Sequence, residues 1–322
     1  MKRIICILVV LCAVQQPLWG KTAKRKAAQL PRTAELRLKR KLIEKAERKL
    51  PDQRAAIESI FNDPRFGLLP SPTAPKKEYK HVRGVNYFFQ EPVYMLSEES
   101  WRRGREYMEK HADTLASAEE EYGVPKEIIV AILRVETYLG KGLDDDKVAA
   151  DSLFNRGLGV HPAINTLYTK YVKRSGRILK KRPDPAKEMI CLIEICFKNS
   201  WDVFAIPGSS DGAIGIPQFM PTSYMNPKFV ADGDGDGKID LFSHDDAIMS
   251  SAKYLSFFHF GRTLKSKKKA IWAYNHSRPY VDAVLIYAEL LGKSEYDEKW
   301  VKKFTESQQT PPKKKKRASA TP

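Results

Sequence analysis

Cysteine and histidine are scarce in this chain, and several motifs that carry metal or phosphate chemistry are absent. The 322 residues include four cysteines and six histidines. None of them forms a His-Glu-x-x-His motif or a zinc-type Cys/His spacing. No phosphate-binding glycine loop and no internal repeat are present. The sequence therefore argues against zinc hydrolases, P-loop enzymes and repeat proteins.

The first twenty residues lack the length of a membrane span. An apolar run, Ile4–Val14, follows two basic residues, but a bilayer requires about 20 apolar residues. The pattern predicts a signal peptide over residues 1–20, cleaved after Gly20. Leu11 precedes Cys12 where a lipoprotein site requires a small residue. We therefore expect an exported soluble protein, periplasmic or elsewhere in the cell envelope.

The sequence offers no disulfide framework. Cys191 and Cys196 remain after removal of the leader and are five residues apart in a helical pattern. This spacing places them on different sides of a helix, too far apart for an easy disulfide bond. We expect both to be small core residues.

Acidic residues are outnumbered by basic ones. The chain has 56 Lys and Arg against 39 Asp and Glu, a net charge of +17, or +15 without the two basic residues of the leader (17 − 2). Such an excess favours an anionic partner, and export argues against nucleic acid. A basic tail over 296–322 could contact an anionic wall or membrane surface electrostatically. We expect a monomer.

Strand-like alternation is confined to short pieces near 82–95, so the sequence predicts a mainly α fold. A basic arm and a proline-rich linker occupy 21–75, and the ragged apolar face of the arm's helix predicts loose packing. The main domain is predicted over 76–295. An inserted helical lobe is predicted over 141–207, with helices near 163–180 and 186–200.

Other helix boundaries follow from capping residues. Ser97 is predicted to open one helix, and Ser243 with Asp246 predicts a capping box for a helix over 244–259. Ser266 predicts the cap of a short helix that ends near Tyr274. A last helix is predicted to start at Pro279 and to end at Gly292.

The helix predicted between Tyr122 and Gly140 is apolar nearly all round. Residues Ile128–Val135 are interrupted only by Arg134, which is typical of a helix buried inside a domain. Glu136 lies in its last turn. Burial and the negative helix terminus both disfavour its charged form. Glu136 is therefore either a general acid that is protonated near neutral pH or half of a buried ion pair.

A glycine-rich stretch occupies 208–225. Three glycines within eight residues permit close backbone approach, while Gln218 and Tyr224 supply polar side chains. The pattern fits either a ligand-binding loop or an ordinary loop before a short helix.

An acidic loop forms the most specific pattern. Asp232, Asp234 and Asp236 occupy positions 1, 3 and 5 of an EF-hand-like loop, and the Lys238 carbonyl occupies position 7. Position 12 is Ser243 rather than glutamate, so a later aspartate would have to complete the site. The alternative is an acidic turn without metal.

These motifs together resemble the lytic murein transglycosylase B family, in the order that the family has them. The likeness covers roughly 97–140 and 205–292, and it rests on Arg103-Gly104, Ala118-Glu119, Tyr122-Gly-Val-Pro, Val135-Glu-Thr with Gly140, Gly212-Ala-x-Gly, Gln218-Phe-Met-Pro-x-Ser-Tyr, the Asp-Gly loop and Tyr274-Asn-His-Ser. Ser210 and Arg134 depart from the family pattern, and either could alter subsite affinity.

The resemblance implies a lysozyme-like helical core with Glu136 as the one catalytic carboxylate. It implies glycan contacts from six residues: Ser209, Gln218, Phe219, Tyr274, Asn275 and Tyr280. It also implies structural Ca²⁺ at five: Asp232, Asp234, Asp236, Lys238 and Asp246.

The expected reaction is non-hydrolytic cleavage of the bond between N-acetylmuramic acid and N-acetylglucosamine in peptidoglycan glycan strands. A hydrolytic lysozyme is an alternative that needs a second carboxylate, for which Asp144, Asp145 and Asp151 are nearest in sequence. A non-catalytic wall-binding protein is a second alternative. A calcium sensor is a third, although paired EF-hands and a Met-rich groove are missing.

Overall fold

The computed structural model describes residues 31–70, 85–90, 94–141, 161–174 and 183–309. Helices dominate these residues. They are α1 Arg32–Lys49, α2 Arg54–Asn62, α3 Glu98–Lys110, α4 Ala112–Tyr122, α5 Lys126–Thr137, α6 Ala163–Lys173, α7 Pro185–Asn199, α8 Pro221–Tyr224, α9 His244–Phe257, α10 Leu264–Tyr274, α11 Arg278–Leu291 and α12 Glu298–Gln309. The predicted signal peptide lies outside them.

Helix α5 is the centre of the first hydrophobic core. Residues Ile128–Thr137 are all buried, since α3, α4, α9 and α11 pack around them. The apolar sequence of α5 is therefore explained by neighbours on every side, as predicted. Burial of Ile129, Ile132 and Leu133 contributes roughly 1.5–3 kcal/mol for each side chain.

A second hydrophobic core joins α1 and α2 to α6 and α7. Leu42 and Ala46 of α1 are fully buried, and α1 contacts α7. The expectation that the arm packs loosely is therefore wrong. Its apolar residues are few, but those few meet the apolar face of α7, a neighbour more than 130 residues away in sequence.

Strand structure is minimal in the described residues. The strand β1, His161–Pro162, pairs antiparallel with β2, Pro207–Gly208. Residues 85–90, which lie in the region of short strand-like alternation, contain a 3₁₀ turn over Tyr87–Phe89. The two strands fix the start of α6 beside the glycine-rich loop.

Several predicted caps differ in detail. Ser243 precedes α9, but its side chain caps no backbone N–H, because Asp246 accepts bonds from the acidic loop instead of completing a capping box. Thr263, rather than Ser266, caps α10, and its hydroxyl accepts a bond from Ser266 N. Ser97 caps α3 as predicted.

The predicted basic tail begins with a packed helix. Helix α12 lies within 296–322, and the Phe304 ring meets Phe89 edge-on at 5.3 Å. Trp300 and Phe304, four residues apart, lie on one face of α12 and pack on the first core. Treating all of 296–322 as a tail was therefore wrong for this helix.

Two further sequence predictions concern single features. Cys191 and Cys196 are free thiols; Cys196 is a buried core residue as expected, whereas Cys191 is only half-buried. Within the described ranges, no helix is both long and apolar enough to cross a bilayer.

Candidate active site

Glu136 lies at the end of α5, where the chain leaves the helix abruptly. The helix ends at Thr137, and the next three residues, Tyr138, Leu139 and Gly140, have φ values of 55°, 63° and 87°. Glycine tolerates this left-handed conformation, whereas Tyr138 and Leu139 adopt it at a cost of roughly 1–3 kcal/mol each. The predicted end at Gly140 is thus reached through two strained residues, the first of which lies two positions after Glu136.

Thr137 ties this helix end to the glycine-rich loop. Its hydroxyl donates a hydrogen bond to the Ile216 carbonyl at 2.9 Å and accepts one from Gly140 N at 3.1 Å. The loop is thereby held against the residue that follows Glu136. The threonine of Val135-Glu-Thr is therefore a positioning residue.

The Glu136 side chain is buried, with 6% of its surface exposed. Tyr280 donates a hydrogen bond to its Oε1 at 2.7 Å. Burial raises the pKa of Glu136 to about 8, although the Tyr280 bond lowers it in part. The carboxyl is therefore mostly protonated at neutral pH, as a general acid requires.

Three tyrosines lie near enough to Glu136 for its charge to raise their pKa values. Burial and the Glu136 charge raise the pKa values of Tyr274 and Tyr280 far above their ordinary range. Burial also raises the pKa of Tyr87 to about 12, with a smaller contribution from Glu136. The three phenols therefore stay neutral near neutral pH, and the Tyr280 hydroxyl donates a hydrogen bond to the carboxyl.

The glycine-rich loop folds back on itself through two bridges, Gly208 to Ile214 and Ile214 to Phe219. Gly215 has φ 74°, and a Cβ at this position would lie 2.6 Å from the Leu241 Cβ. Only glycine fits this position, because the backbones approach closely and φ is positive.

Residues Gly208–Gly212 match the Gly-x-Ser-x-Gly sequence of a nucleophile elbow. No helix starts at Ser210, so the strand–turn–helix structure that such an elbow requires is missing there.

Tyr274 links this loop to α10. Its hydroxyl donates to the Pro217 carbonyl at 2.7 Å, and its ring lies 5.7 Å from Phe219 and stacks on Tyr280 at 6.4 Å. Tyr274 and Asn275 also line a cavity of about 540 Å³. The loop, the end of α10 and Glu136 thus belong to one connected site.

The acidic loop brings together carboxylates from two segments. Carboxylate oxygens of Asp232, Asp234 and Asp246 lie within 4.8 Å of one another. Gly233 N donates to Asp246 Oδ1 at 2.6 Å, and Asp240 N donates to Asp246 Oδ2 at 2.5 Å. The first turn of α9 therefore supplies the late aspartate that the loop sequence alone lacks.

Sequence and structure comparisons agree on one family. The family model described as "Transglycosylase SLT domain" matches residues 53–265, about two thirds of the chain. The protein belongs to the transglycosylase SLT domain family.

The individual proteins that this chain resembles share only modest sequence identity with it. The chain is 30% identical over 159 residues to membrane-bound lytic murein transglycosylase B of Escherichia coli, a match over 49% of this chain and 38% of that relative. The chain therefore spans less than half the length of that relative.

Two solved structures share the fold. The E. coli lytic transglycosylase Slt35 in complex with bulgecin A superimposes with a TM-score of 0.62 at 20% identity, over 79% of this chain and 92% of that one. Slt35 has also been solved in complex with calcium. SltB3 of Pseudomonas aeruginosa in complex with NAG-anhNAM-pentapeptide gives a TM-score of 0.59 at 19% identity, over 82% and 80% of the two chains.

The structure distributes the six predicted glycan contacts unevenly. Tyr280 and Phe219 are almost fully buried. They therefore support the walls of the site and present little surface to a ligand. Gln218 donates from Nε2 to Gly215 O, and its buried Oε1 has no hydrogen-bond partner among the described residues. Ser209 uses its hydroxyl inside the loop, where it accepts from Asp211 N and Ala213 N.

Of the five predicted metal ligands of the SLT domain, three lie close together. Asp232, Asp234 and Asp246 form the convergent group, whereas Asp236 lies outside it. Asp236 Oδ1 accepts a bond from Lys238 N at 2.8 Å, and both residues are exposed. Carboxylate and carbonyl oxygens are the donors that Ca²⁺ prefers, so the group suits this ion.

Sequence reasoning missed Tyr87. Its side chain is half-buried and hydrogen-bonds with Ser277, which precedes α11. The 190 residues between Tyr87 and Ser277 leave no spacing signal. Arg134 was noted as a departure, and the structure shows its Nε donating to Ser100 Oγ at 3.0 Å while its guanidinium lies 4.1 Å from the Tyr138 ring.

Proposed function

We propose that this SLT domain protein is a peptidoglycan lytic transglycosylase in which Glu136 acts first as acid and then as base. The observation that carries the proposal is the buried, protonated carboxyl at the end of α5, held by the Tyr280 hydroxyl. The relatives named above are lytic transglycosylases, which supports the same reaction. The substrate class is the glycan strand of peptidoglycan.

The reaction needs one carboxylate. Protonated Glu136 donates to the oxygen that links N-acetylmuramic acid to N-acetylglucosamine, and that C–O bond breaks. The positive charge at C1 is met by the substrate's own acetamido oxygen, a substrate-assisted variant of glycosidase chemistry. Glu136, now ionised, takes the proton of the muramic acid C6 hydroxyl, whose oxygen closes onto C1. The product is a 1,6-anhydro sugar, and water does not enter.

Tyr280 supports both steps. Its hydrogen bond stabilises the carboxylate formed after the first proton transfer and so lowers the pKa of Glu136 from the value that burial alone would set. A carboxyl with a pKa near the working pH can both lose and regain a proton.

A falling pH limb is the expected signature of this arrangement. The free enzyme needs the protonated form of Glu136, so kcat/KM should be level below about pH 8, the pKa of Glu136, and should fall about tenfold per pH unit above it. Tyr280→Phe removes the bond that lowers this pKa, so the limb should move to higher pH. Initial rates on soluble glycan fragments between pH 5 and 10 would measure it; a limb that stays in place in Tyr280→Phe contradicts the assigned contact.

Digestion of purified sacculi tests the proposal against a hydrolytic lysozyme. The candidate second carboxylates Asp144, Asp145 and Asp151 lie outside the described residues. We expect alanine at each to leave cleavage within about threefold of wild type, since the proposed route uses Glu136 alone. Loss of turbidity should occur without new reducing ends, as measured by a reducing-sugar assay. An inactive alanine variant together with new reducing ends would favour lysozyme chemistry.

Calcium would be structural in this proposal. Asp232, Asp234 and Asp246 would hold the ion, with Asp236 and the Lys238 carbonyl as further candidate ligands. The ion would fix the acidic loop on the first turn of α9 and takes no part in the glycan chemistry.

We also propose that the protein works in the cell envelope. The substrate class lies there, the relative from E. coli is named membrane-bound, and the first twenty residues have the pattern of a signal peptide.

A further inference from the structure

The outer face of α10 carries a concave basic patch that the proposed reaction does not use. A cavity of about 420 Å³ lies at its surface. We call this surface the α10 patch, and its polar and aromatic lining residues are Lys265, Lys268, Lys269, Trp272, Arg278 and Asp282. Four cations thus face one carboxylate, Asp282, which lies 3.7 Å from Lys268 Nζ.

The patch follows from the way α10 packs. Ala270 and Ile271 are fully buried against the core, so the lysines and Trp272 point away from it. Trp272 is 39% exposed, although burying a tryptophan is normally favourable. An exposed aromatic ring beside several cations suits a ligand that offers both a ring face and negative charge.

The α10 patch adjoins the 540 Å³ cavity that Tyr274 and Asn275 line. The Trp272 ring meets the His276 ring edge-on at 5.6 Å. His276 in turn lines the 540 Å³ cavity together with Tyr274 and Asn275. A chain-like ligand that occupies this cavity can therefore continue past His276 onto Trp272.

We propose that the α10 patch binds the glycan strand beyond the cleavage site, with Trp272 against the apolar face of a sugar ring and the lysines against stem-peptide carboxylates. The inference rests on the proposed function for its substrate class. Peptide-bearing glycan is both polyanionic and rich in ring faces, which matches a patch that combines cations with an aromatic ring.

An anionic bilayer fits the patch less well. The surface is concave, and its exposed large apolar residues are Trp272 and, at the start of α10, Leu264. A helix that lies in a bilayer interface presents a continuous apolar face beside its basic one. Such a face is missing from α10, because its apolar residues Ala270 and Ile271 are directed into the core.

Binding to sacculi tests the inference without interference from cleavage. All proteins would carry Glu136→Gln, and co-sedimentation with purified sacculi would give Kd at several salt concentrations. The triple variant Lys265→Gln, Lys268→Gln, Lys269→Gln should bind about tenfold more weakly and with a shallower salt dependence. Trp272→Ala should also weaken binding several-fold, with the salt dependence unchanged.

Helix α12 offers a matched control. Lys299, Lys302 and Lys303 are exposed there, so their triple glutamine variant removes the same charge from another surface and should bind like the parent. On sacculi stripped of stem peptides by an amidase, the effect of the α10 lysines should vanish while that of Trp272→Ala persists. Equal losses in both lysine triples, or a lysine effect that survives stripping, would overturn the inference.

Two further arms separate the possible failures. With Glu136 restored, wild type and the α10 triple should cleave a short soluble glycan fragment equally, because it does not reach the patch. Failure of wild type to cleave would refute the proposed function, while sacculus binding still measures the patch. Patch-dependent binding to phosphatidylglycerol vesicles, with sacculus binding unchanged in the α10 triple, would overturn the inference in favour of a membrane site.

Discussion

Glu136→Gln should lower glycan cleavage by about 10²–10⁴-fold or more while leaving the fold intact. Loss of a general acid alone has this effect, and here the same group also acts as the base. The amide keeps the shape of the side chain and can still accept the Tyr280 hydrogen bond, so binding should change little. Initial rates on sacculi and on soluble fragments would measure the loss.

The stability of this variant supplies an independent readout. The pKa of Glu136 is about 8 in the folded protein and near the ordinary glutamate value of 4.5 when unfolded. Between these values the folded state binds more protons, so wild-type stability falls as pH rises from about 4.5 to about 8. Glutamine escapes this penalty. At pH 8, Glu136→Gln should therefore melt at a higher temperature than wild type, and its unfolding free energy should be larger by an amount on the order of a few kcal/mol. At pH 4, the two proteins should be nearly equal in stability.

Glu127→Gln is the matched control, because Glu127 lies in the first turn of the same helix. It should leave the rate of cleavage within a few-fold of wild type. Residual cleavage by Glu136→Gln within a few-fold of wild type would contradict the assignment. A melting difference independent of pH would contradict the raised pKa.

Among the substitutions in the acidic-loop site, Asp246→Ala should lower the free energy of unfolding the most. Asp246 is 1% exposed and accepts bonds from Gly233 N and Asp240 N. Its removal leaves two backbone donors without their partner, at a cost of roughly 1–3 kcal/mol each. Thermal melting of demetallated protein would measure this loss.

The same variant tests the calcium site. Calcium that binds only the folded state should raise the melting temperature of demetallated wild type. Asp246→Ala should abolish that rise. Asp234→Ala is the second variant, because Asp234 is exposed. It should also abolish the rise in melting temperature, but it should destabilise the metal-free protein less than Asp246→Ala does. Wild-type melting that is indifferent to both calcium and chelator would exclude the site.

The sequence predicted those parts of the site that depend on residues close together along the chain. The apolar run of α5 indicated burial, and burial predicted the raised pKa of Glu136. The Asp-Gly spacing indicated the acidic loop. Each inference needed only neighbours along the chain, and helix period or loop geometry converts such neighbours directly into structure.

The remaining features depend on long-range packing. Tyr280 reaches Glu136 because α11 packs on α5. Tyr87 reaches Ser277 because the turn over Tyr87–Phe89 packs on α11. No spacing in the sequence predicts either contact. The few apolar residues of α1 predict loose packing of the arm, yet Leu42 is fully buried in the second core. In α12 a signal was present: Trp300 and Phe304 are four residues apart, the spacing of one helix face.

The central claim is that Glu136 catalyses ring closure by the muramic acid C6 hydroxyl rather than attack by water. Mass spectrometry of muropeptides released from sacculi in ¹⁸O-labelled water tests it most directly. The account predicts products lighter by one water than their hydrolytic counterparts and free of ¹⁸O. Reducing muramic acid ends that carry ¹⁸O at C1 would contradict it.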